Sequence, residues 1–396
     1  MTMRIAVAYD CLFPYTTGGG ERQYVAFARE LVGRGNEVDY LTARQWDGRA
    51  PEDEPFRVVE TSRRLRLYSP DGVRRTAAAV AFAWGLFRTL RRRRRHYDAV
   101  IVSALPLLNV LAARAALLGS GTTVIFDYLE VWPRRQWRAY SGRLMGTVAW
   151  LLQRLAVLLS PVATCHSRLS ARRLRAEGFR GRLLVSPGLI DTAAPPRPTG
   201  AVDDPPYVLY VGRHIPDKRV ESLPGAVAHA RARVPGLRLI ILGEGPSGAE
   251  VRSAATAARG EDWTDFLGFV SQERLDELMS AASVVVNPSR REGYGLVVVE
   301  SAMHGTPVVL VADEGNASVE LVEPGRNGYI APSVGAADLG DAIARAVLGG
   351  ADLRRSTSDW YREAIETRTI RQTVGQIAAC IDEMAHARAT QRTGKK

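Results

Sequence analysis

Cysteine is scarce in this 396-residue chain, and the three that occur, Cys11, Cys165 and Cys380, lie far apart. Three scattered thiols exclude a disulfide-stapled secreted fold and a cysteine-based zinc site. Apolar runs are also short, because arginines interrupt them before the roughly 18 residues that a membrane-spanning helix needs. The amino terminus has a five-residue apolar core, too short for a signal peptide. These absences predict a soluble, reduced, cytoplasmic protein.

Lysine is nearly absent too, since only Lys218 precedes the last two residues. Residues 1–200 carry 31 arginines, no lysine and 16 acidic residues, which is a net charge of +15. Residues 201–396 carry 22 basic and 26 acidic residues, a net charge of −4. The whole positive excess of +11 therefore belongs to the first half of the chain.

Three interpretations of the basic half compete. Its arginine runs are solvated helix faces, or they meet anionic lipid, where each charge gains about 1 kcal/mol, or they bind nucleic acid. The runs are not interleaved with stacking aromatics or placed on a recognisable recognition module. The sequence therefore predicts no nucleic-acid partner. It leaves open a peripheral position at the inner, anionic face of a membrane.

Short apolar runs alternate with helical stretches along the chain, the pattern of parallel α/β sheets. In the first half the predicted strands are Ile5–Tyr9, Glu37–Thr42, Phe56–Val59, Ala99–Ser103, Thr123–Asp127, Ala163–His166 and Leu183–Ser186. Continuous rather than alternating hydrophobicity indicates strands that are covered on both faces. Helices are predicted between them, for example over Gly20–Gly33 and Arg74–Arg95.

A proline-rich stretch then divides the chain, with five prolines between Thr192 and Pro206. Such a segment fits neither a helix nor a central strand. After it the rhythm restarts, with predicted strands at Tyr207–Val211, Leu237–Leu242, Phe266–Phe269, Ser283–Asn287, Pro307–Val311 and Gly328–Ile330. Helices are predicted at Glu221–Val234, Gln272–Ala282, Leu296–His304 and Trp360–Ala389. We therefore expect two doubly wound, Rossmann-like domains, 1–192 and 207–370, facing across a cleft, with a linker at 193–206 and a flexible tail at 391–396.

The most informative motif follows a predicted strand and opens a helix near Leu296. It contains Glu292, Gly293, Gly295 and, inside the helix, Glu300. A helix N-terminus offers free N–H groups to phosphate, glycines allow close approach, and carboxylates accept hydrogen bonds from sugar hydroxyls. The plain structural interpretation is a first-turn acid and a solvated helix acid. Three valines directly before Glu300 indicate that this helix is buried, and a buried carboxylate needs a partner. This argues against the plain structural interpretation.

Other motifs follow predicted strands. Arg213 and Lys218 come after the first strand of the second domain, where a guanidinium and an ammonium suit a diphosphate. A glycine-rich turn, Gly18–Gly20, follows the first strand of the chain. The G-x-G-x-x-G at Gly243 imitates a dinucleotide fingerprint, but it follows the second strand of its domain and contains Pro246. We expect it to line the same cleft.

In their order, spacing and domain placement, these motifs resemble those of the retaining GT-B fold glycosyltransferases of family four (group 1). The matching elements are the Gly-Gly-x-Glu turn, the Gly-Arg and lysine after the first strand of the second domain, and Glu-x7-Glu at Glu292 and Glu300. The resemblance covers essentially the whole chain and implies the GT-B fold. It also implies that a final helix at 371–390 crosses back onto the first, acceptor-side domain.

The resemblance also implies roles for individual residues. Glu292 would act at the donor sugar as a catalytic residue, Glu300 would bind ribose, and Arg213 with Lys218 would hold the diphosphate. The full set of implied donor-binding residues is Gly18, Gly19, Gly20, Arg213, Lys218, Gly243, Phe269, Val270, Gly293, Tyr294, Gly295, Leu296 and Glu300. Among these, Phe269 and Val270 would contact the base.

The chain departs from the family pattern in the first domain. Many members carry a sugar-contacting histidine after the strand equivalent to Thr123–Asp127. Asp127 is the candidate for that place, as a second catalytic residue, and Glu130 is the alternative. His166 and His304 are interpreted as structural.

The predicted function is metal-independent, retaining transfer of a sugar from a nucleotide-diphosphate donor to a hydroxyl of a lipid-linked, glycan or natural-product acceptor. No D-x-D motif is present to bind a metal, and no cofactor is expected. A phosphorylase would need a further lysine for pyridoxal phosphate. A sugar-nucleotide epimerase of the same fold and a non-catalytic basic binding protein remain the alternatives.

Overall fold

The computed structural model describes residues 2–16, 18–67, 74–191 and 202–393. They form two compact units. Unit 1 contains the described residues up to Asp191 together with those from Arg368 onward, and unit 2 contains those from Val202 to Thr367. Most of the linker predicted at 193–206, and residues 394–396 of the predicted tail, lie outside the described residues.

Unit 1 is built on a seven-stranded sheet in the order β3-β2-β1-β4-β5-β6-β7, with every neighbouring pair parallel. The strands are β1 Arg4–Ala8, β2 Glu37–Ala43, β3 Arg57–Ser62, β4 Ala99–Ser103, β5 Thr123–Tyr128, β6 Val162–Cys165 and β7 Arg182–Val185. The helices between them are α1 Gly19–Gly33, α2 Thr76–Arg92, α3 Leu108–Leu117, α4 Arg134–Ser141, α5 Arg143–Leu159 and α6 Arg168–Ala176. The strand order reverses between β1 and β4, which are hydrogen-bonded neighbours.

Unit 2 repeats the plan with a six-stranded sheet in the order β10-β9-β8-β11-β13-β15. Its strands are β8 Tyr207–Val211, β9 Arg238–Leu242, β10 Thr264–Gly268, β11 Val284–Asn287, β12 Arg291–Glu292, β13 Val308–Val311, β14 Gly315–Asn316 and β15 Gly328–Ala331. Its helices are α7 Leu223–Arg231, α8 Gly248–Ala257, α9 Gln272–Ala281, α10 Leu296–Met303, α11 Ala336–Leu348 and α12 Gly350–Thr367. The two-residue strands β12 and β14, which the sequence did not predict, pair with each other outside the main sheet.

Each sheet is buried because its strands are apolar on both faces. In unit 1, β4 is fully buried and packs with α2, α3 and α5 in one core. In unit 2, β11 is fully buried, and α7 and α11 cover the same core. The continuous apolar runs of the sequence thus became central parallel strands.

The predicted helix Trp360–Ala389 is wrong in one respect, because the chain breaks it into α12 and α13 Ile370–Thr393. Thr369 is the cause: its Oγ1 accepts from the Gln372 N–H at 3.2 Å, and Gln372 Oε1 accepts from the Thr369 N–H at 3.0 Å. This reciprocal capping box starts a new helix. The helix α13 belongs to unit 1, where Arg34, directly after α1, donates to the Arg371 carbonyl at 2.8 Å.

A buried arginine joins α12 to the rest of unit 2. Arg354 is 5% exposed. It donates to the carbonyls of Ser280 at 2.6 Å, Ala282 at 2.7 Å and His304 at 3.4 Å, and to Thr306 Oγ1 at 3.0 Å. Burial lowers the pKa of this guanidinium. Without it these four acceptors would lose a charged donor, which makes Arg354 a structural requirement of unit 2.

We expect Arg354→Met to lower the free energy of unfolding by about 2–4 kcal/mol, because it leaves several buried acceptors without a donor. Urea unfolding measures this change. The matched control is the adjacent Arg355→Met, since Arg355 is exposed and pairs only with exposed Asp352 among the contacts described. The control should stay within about 0.5 kcal/mol of the wild type. Equal losses in both variants would refute the structural role of Arg354.

Candidate functional site

The candidate site of unit 2 lies where the strand order reverses. Strands β8 and β11 are parallel neighbours, with Val284 paired to Val208. After β8 the chain continues to β9 on one side of this pair, and after β11 it continues to β13 on the other side. The loops that follow diverge and leave a crevice at the carboxyl ends of the two strands. Gly212 and Arg213 follow β8, and Asn287 ends β11. Arg213 is exposed at this edge.

An ion pair bridges the two loops. Lys218 lies in the 3-10 turn Pro216–Lys218, and its ammonium contacts Oε1 of Glu292 in β12. Asn287 Nδ2 donates to the same oxygen at 2.9 Å. The side chains of Lys218 and Glu292 are 23% and 16% exposed, so the pair is largely shielded from water. The only lysine before the carboxyl terminus therefore pairs with this carboxylate.

This environment keeps Glu292 ionised. Burial alone raises the pKa of the Glu292 carboxyl, but the charge of Lys218 and the hydrogen bonds from Lys218 and Asn287 outweigh burial. The pKa of Glu292 is consequently lower than that of an ordinary glutamate. An ionised carboxylate in this position accepts hydrogen bonds from ligand hydroxyls.

A second ion pair, not predicted from the sequence, joins the same loops. Arg291 pairs with Asp217, and the Arg290 N–H donates to the Asp217 carbonyl at 2.8 Å. Together these contacts fix the turn that carries Lys218 against the strand that carries Glu292. The signal in the sequence was Asp217 directly before Lys218, and an arginine directly before Glu292.

Arg219 is another residue that the sequence analysis missed. Its backbone is left-handed, with φ of 50°, which is unusual for a side chain larger than glycine. Its Nε donates to the Pro288 carbonyl at 2.8 Å, and its Nη1 lies 3.2 Å from Asp313 Oδ2. The residue thus connects the loops after β8, β11 and β13. A 3-10 turn over Val220–Ser222 follows it and occupies the predicted start at Glu221, so α7 begins at Leu223.

The helix α10 presents its N-terminus to the site. Gly295 precedes it with φ of +102°, and a Cβ there would lie 2.3 Å from the Ser318 Cβ. Only glycine fits this position. Within the described residues no side chain caps α10, so its first-turn N–H groups remain available to an anion. Gly293 and Leu296 are half-buried here, and Tyr294 is buried.

Two further predicted residues lie along the same sheet edge. Gly243 follows β9 with φ of +94°, and a Cβ there would lie 2.1 Å from the Gly212 carbonyl oxygen, so this glycine lets the loops after β8 and β9 touch. Phe269 follows β10, which ends at Gly268, and its side chain is 72% exposed. Three strand spacings, about 14 Å, separate β10 from β11. Val270 is half-buried beside Phe269.

Glu300 lies in α10 and is half-buried. Its helix starts at the uncapped N-terminus described above, so Glu300 and Glu292 are carried by one continuous segment. Arg213, Lys218, Gly243, Phe269 and Glu292 therefore lie in segments that follow the carboxyl ends of β8, β9, β10 and β11, and Glu300 lies in the second turn of α10.

In unit 1 the glycine-rich turn opens α1 after β1. Gly18 precedes the helix, and Gly19 and Gly20 form its first turn. A Cβ on Gly20 would lie 2.8 Å from the hydroxyl of Tyr9, which stacks on Tyr24 at 4.4 Å. Glycine therefore allows α1 to start directly above the end of β1.

Asp127 differs from its predicted role. It was expected to contact a donor sugar, but its side chain is fully buried at the end of β5. It accepts from Tyr24 Oη at 2.6 Å, from Gln23 Nε2 at 3.1 Å and from Thr164, and His166 Nε2 lies 2.8 Å away. Burial raises the pKa of Asp127, but His166 and these donors outweigh burial and lower it. The carboxylate organises the interior, and no surface for a ligand reaches it.

Two absences complete the description. Among the residues that the structure describes, no group of three or more His, Cys, Asp or Glu side chains could hold a metal ion. In the same part of the chain, no helix combines the length and apolarity needed to cross a membrane.

Two family models match consecutive parts of the chain. Glycosyltransferase Family 4 matches residues 17–194, and Glycosyl transferases group 1 matches residues 192–364. Together they cover residues 17–364, and the chain belongs to glycosyltransferase family 4 (group 1). The junction of the two matches falls where the sequence predicted the linker, and the second match contains the whole candidate site of unit 2.

Curated relatives match over parts of their length. The alpha-D-kanosaminyltransferase of Streptomyces kanamyceticus is 32% identical over 40% of this chain and 40% of its own length. The D-inositol 3-phosphate glycosyltransferase of Nocardia farcinica is 39% identical over 42% of this chain and 38% of its own. The chain thus spans about two fifths of the length of these two relatives.

Solved structures match almost the whole of this chain. Sucrose-phosphate synthase from Thermosynechococcus elongatus has a TM-score of 0.79 at 19% identity, covering 97% of this chain and 100% of that one. HepE of Anabaena, in complex with UDP-glucose, has a TM-score of 0.70 at 18% identity, covering 96% and 100%. At these identities the likeness concerns the fold, and it confirms the predicted pair of doubly wound Rossmann-like domains.

We expect Lys218→Met to reduce the free energy of unfolding of this protein by about 2 kcal/mol near neutral pH, because Glu292 would lose a charged partner. The pKa of Glu292 lies below its ordinary value of 4.5, so the ion pair stabilises the fold above that pH. Its contribution is lost as the pH falls through the lowered pKa. Urea unfolding of both proteins at several pH values should therefore show the difference shrinking below pH 4.5.

The matched control is Arg238→Met, because Arg238 is the first residue of β9 and lies at the edge of the sheet opposite to the candidate site. Arg238 pairs with Asp265 at 2.5 Å, and both side chains are 41% exposed. That variant should change the unfolding free energy by at most about 1 kcal/mol. A pH-independent loss in Lys218→Met would contradict the assigned ion pair.

Proposed function

We propose that this chain transfers a sugar from a nucleoside diphosphate sugar to an acceptor hydroxyl, with retention of anomeric configuration and without a metal ion. The observation that carries the proposal is the shielded Lys218–Glu292 pair beside the uncapped N-terminus of α10. Cationic groups, free N–H groups and an ionised carboxylate meet there at one sheet edge. This is the chemistry that a diphosphate joined to a sugar requires.

The donor would lie along the carboxyl edge of unit 2. Its base would meet exposed Phe269 after β10, and its sugar would meet Glu292 after β11, about 14 Å away by strand spacing. Arg213 and Lys218, between these ends, would hold the diphosphate, and Glu300 would bind ribose hydroxyls. The UDP-glucose complex of HepE, a protein of the same fold, supports this class of donor.

Positive groups would assist the reaction by stabilising the leaving diphosphate. As the bond between the anomeric carbon and the phosphate oxygen breaks, negative charge grows on that oxygen. Arg213, Lys218 and the N–H groups of α10 are preorganised to stabilise this charge, a role that other enzymes give to a metal ion. The acceptor hydroxyl would attack from the same face as the departing phosphate, so the configuration would be retained. The phosphate would take the proton of the hydroxyl.

In this proposal Asp127 is a positioning residue. Its buried carboxylate ties α1, β5 and β6 together through Tyr24, Thr164 and His166. It therefore holds the start of α1, where Gly18–Gly20 approach β1, in one conformation.

The acceptor is proposed by class only, as a hydroxyl of a lipid-linked, glycan or natural-product molecule. The names of the two curated relatives, a kanosaminyltransferase and an inositol phosphate glycosyltransferase, support sugar transfer to polyhydroxylated compounds. A peripheral position at the inner face of a membrane, with the basic half toward anionic lipid, belongs to the same proposal.

Thermal unfolding with a panel of UDP, GDP, dTDP and ADP sugars tests the donor site. We expect one donor, at about 100 times its dissociation constant, to stabilise the wild type by about 2.7 kcal/mol. Glu300→Ala should lose most of this gain. Glu277→Ala should keep it, because Glu277 is exposed and pairs with Arg274 on the surface of α9. If no donor in the panel stabilises the wild type, the proposed site is wrong.

Product analysis tests the reaction itself. With the stabilising donor and a hydroxylated acceptor, we expect NMR to show the anomeric configuration of the donor in the product and EDTA to leave the rate unchanged. Glu292→Ala should lower kcat by roughly a hundredfold or more, because it removes a group placed at the reacting sugar. An inverted product, a rate restored only by Mg²⁺, or a second sugar nucleotide formed without acceptor would each refute part of the proposal.

A further inference from the structure

The helix α5 turns its large apolar side chains outward. Leu144, Val148, Leu151, Leu155 and Leu158 are between 42% and 77% exposed. Their spacing of four, three, four and three residues, at about 100° per residue, keeps them within roughly 80° of one another around the helix axis. Met145 and Leu159 widen the same stripe and are also exposed. We call these seven residues the α5 stripe.

Small and polar residues fill the buried side of the same helix. Gly146, Gln153, Ala156 and Val157 are its buried residues. A Cβ on Gly146 would lie 2.3 Å from the Trp137 carbonyl oxygen, so this glycine lets α4 lie close against α5. A helix of a water-soluble core normally buries its leucines and exposes its polar residues. The inverted arrangement indicates that the α5 stripe has a partner.

Arginines surround the α5 stripe. From Val131 to Ala176 the chain has nine arginines and neither aspartate nor glutamate. Arg143 and Arg154 are exposed on one flank of the stripe, and α4 adds exposed Arg134 and Arg135. The partner must therefore be both apolar and anionic.

Aromatic side chains join the arginines to the stripe. The guanidinium groups of Arg134 and Arg154 lie 5.4 Å and 5.7 Å from the centre of the Trp150 ring. Trp132 packs on Trp137 with ring centres 4.6 Å apart. Tryptophan beside arginine, at the border of an apolar surface, is the composition of a lipid–water interface.

A second helix of the same layer shows the same pattern. Val80 and Trp84 of α2 are 51% and 60% exposed, and Arg88 and Arg91 follow on the exposed side. The helices α2 and α5 share one core, on one face of the unit 1 sheet. On α1 and α13, within the side chains that the structure describes, no large apolar residue is exposed. The apolar and basic surface thus belongs to one layer of unit 1.

We propose that the surface formed by the α5 stripe and the arginines of α4 and α5 is a docking site for an anionic phospholipid bilayer. The helix α5 would lie in the plane of the interface, with its leucines among the acyl chains and its arginines on lipid phosphates. A second copy of this chain fits less well, because dimerisation would bring two surfaces with the same positive charge together. The proposal does not rest on the transferase activity, since no residue of the donor site takes part.

Co-sedimentation of the full chain with vesicles tests the proposal without any sugar donor. We expect binding at low ionic strength to phosphatidylcholine vesicles that contain about one third phosphatidylglycerol, and weak binding to phosphatidylcholine alone. The double variant Leu151→Ser, Leu155→Ser should bind at least about tenfold more weakly, since it removes apolar contact area. Arg143→Gln with Arg154→Gln should lose about fivefold for each charge.

The matched control is Leu348→Ser, because Leu348 is 59% exposed at the end of α11 in unit 2. It should bind vesicles like the wild type. The leucines changed in α5 are already exposed, so thermal unfolding should show all of these variants folded. A separate readout is amide hydrogen exchange, which should slow within residues 143–159 when anionic vesicles are added.

Three outcomes would overturn the proposal. One is equal binding of the wild type and the leucine variant to anionic vesicles. Another is an absence of vesicle binding at low ionic strength, which would point to an acidic protein partner instead. The third is a concentration-dependent dimer that the leucine changes dissolve, because the occupant would then be a second copy of the chain.

Discussion

The ion pair between Lys218 and Glu292 is the contact on which the geometry of the unit 2 site depends. It joins the loops that follow β8 and β11, the two strands between which the sheet order reverses. Because both side chains are mostly shielded from water, their attraction is stronger than that of a surface pair, and either charge alone would be costly. Asn287 and the neighbouring Arg291–Asp217 pair restrict the same loops. The N-terminus of α10 is thereby held at a defined distance from the cations.

The charges of unit 1 are arranged differently from those of unit 2. Its buried carboxylates accept from donors of unit 1 itself, as at Asp39, which accepts from exposed Arg57 and buried Tyr97, each at 2.6 Å. Burial raises the pKa of Asp39, but these donors outweigh burial and lower it. Residues 1–200 contain 16 acidic residues against 31 arginines, and none of these acids lies between Val131 and Ala176. The net charge of +15 in residues 1–200 is consequently a property of the helix faces, above all of the layer that contains α5.

Much of the fold was predictable because central parallel strands are apolar on both faces. Tyr207–Val211 and Ala99–Ser103 coincide with β8 and β4. The sequence did not show the break between α12 and α13, where the capping box at Thr369 competes with continued helical periodicity. It also did not show β12 and β14, since two-residue strands carry no period. The apolar run Leu144–Leu159 lies in α5, and half of its residues are exposed, which hydrophobicity along the sequence does not show.

The sequence by itself determined the fold class, the family and the segment that carries Glu292, Gly295 and Glu300, because these follow from local patterns of hydrophobicity, glycine and charge. It also identified Lys218 as exceptional, since no other lysine precedes the carboxyl terminus. Only the tertiary structure decided that Lys218 reaches Glu292, 74 residues away, that Asp127 is buried among protein donors, and that the leucines of α5 point outward. Those facts depend on which strands lie side by side and which helix face meets the sheet. Pairings between residues far apart in the chain decide both, and no local pattern encodes them.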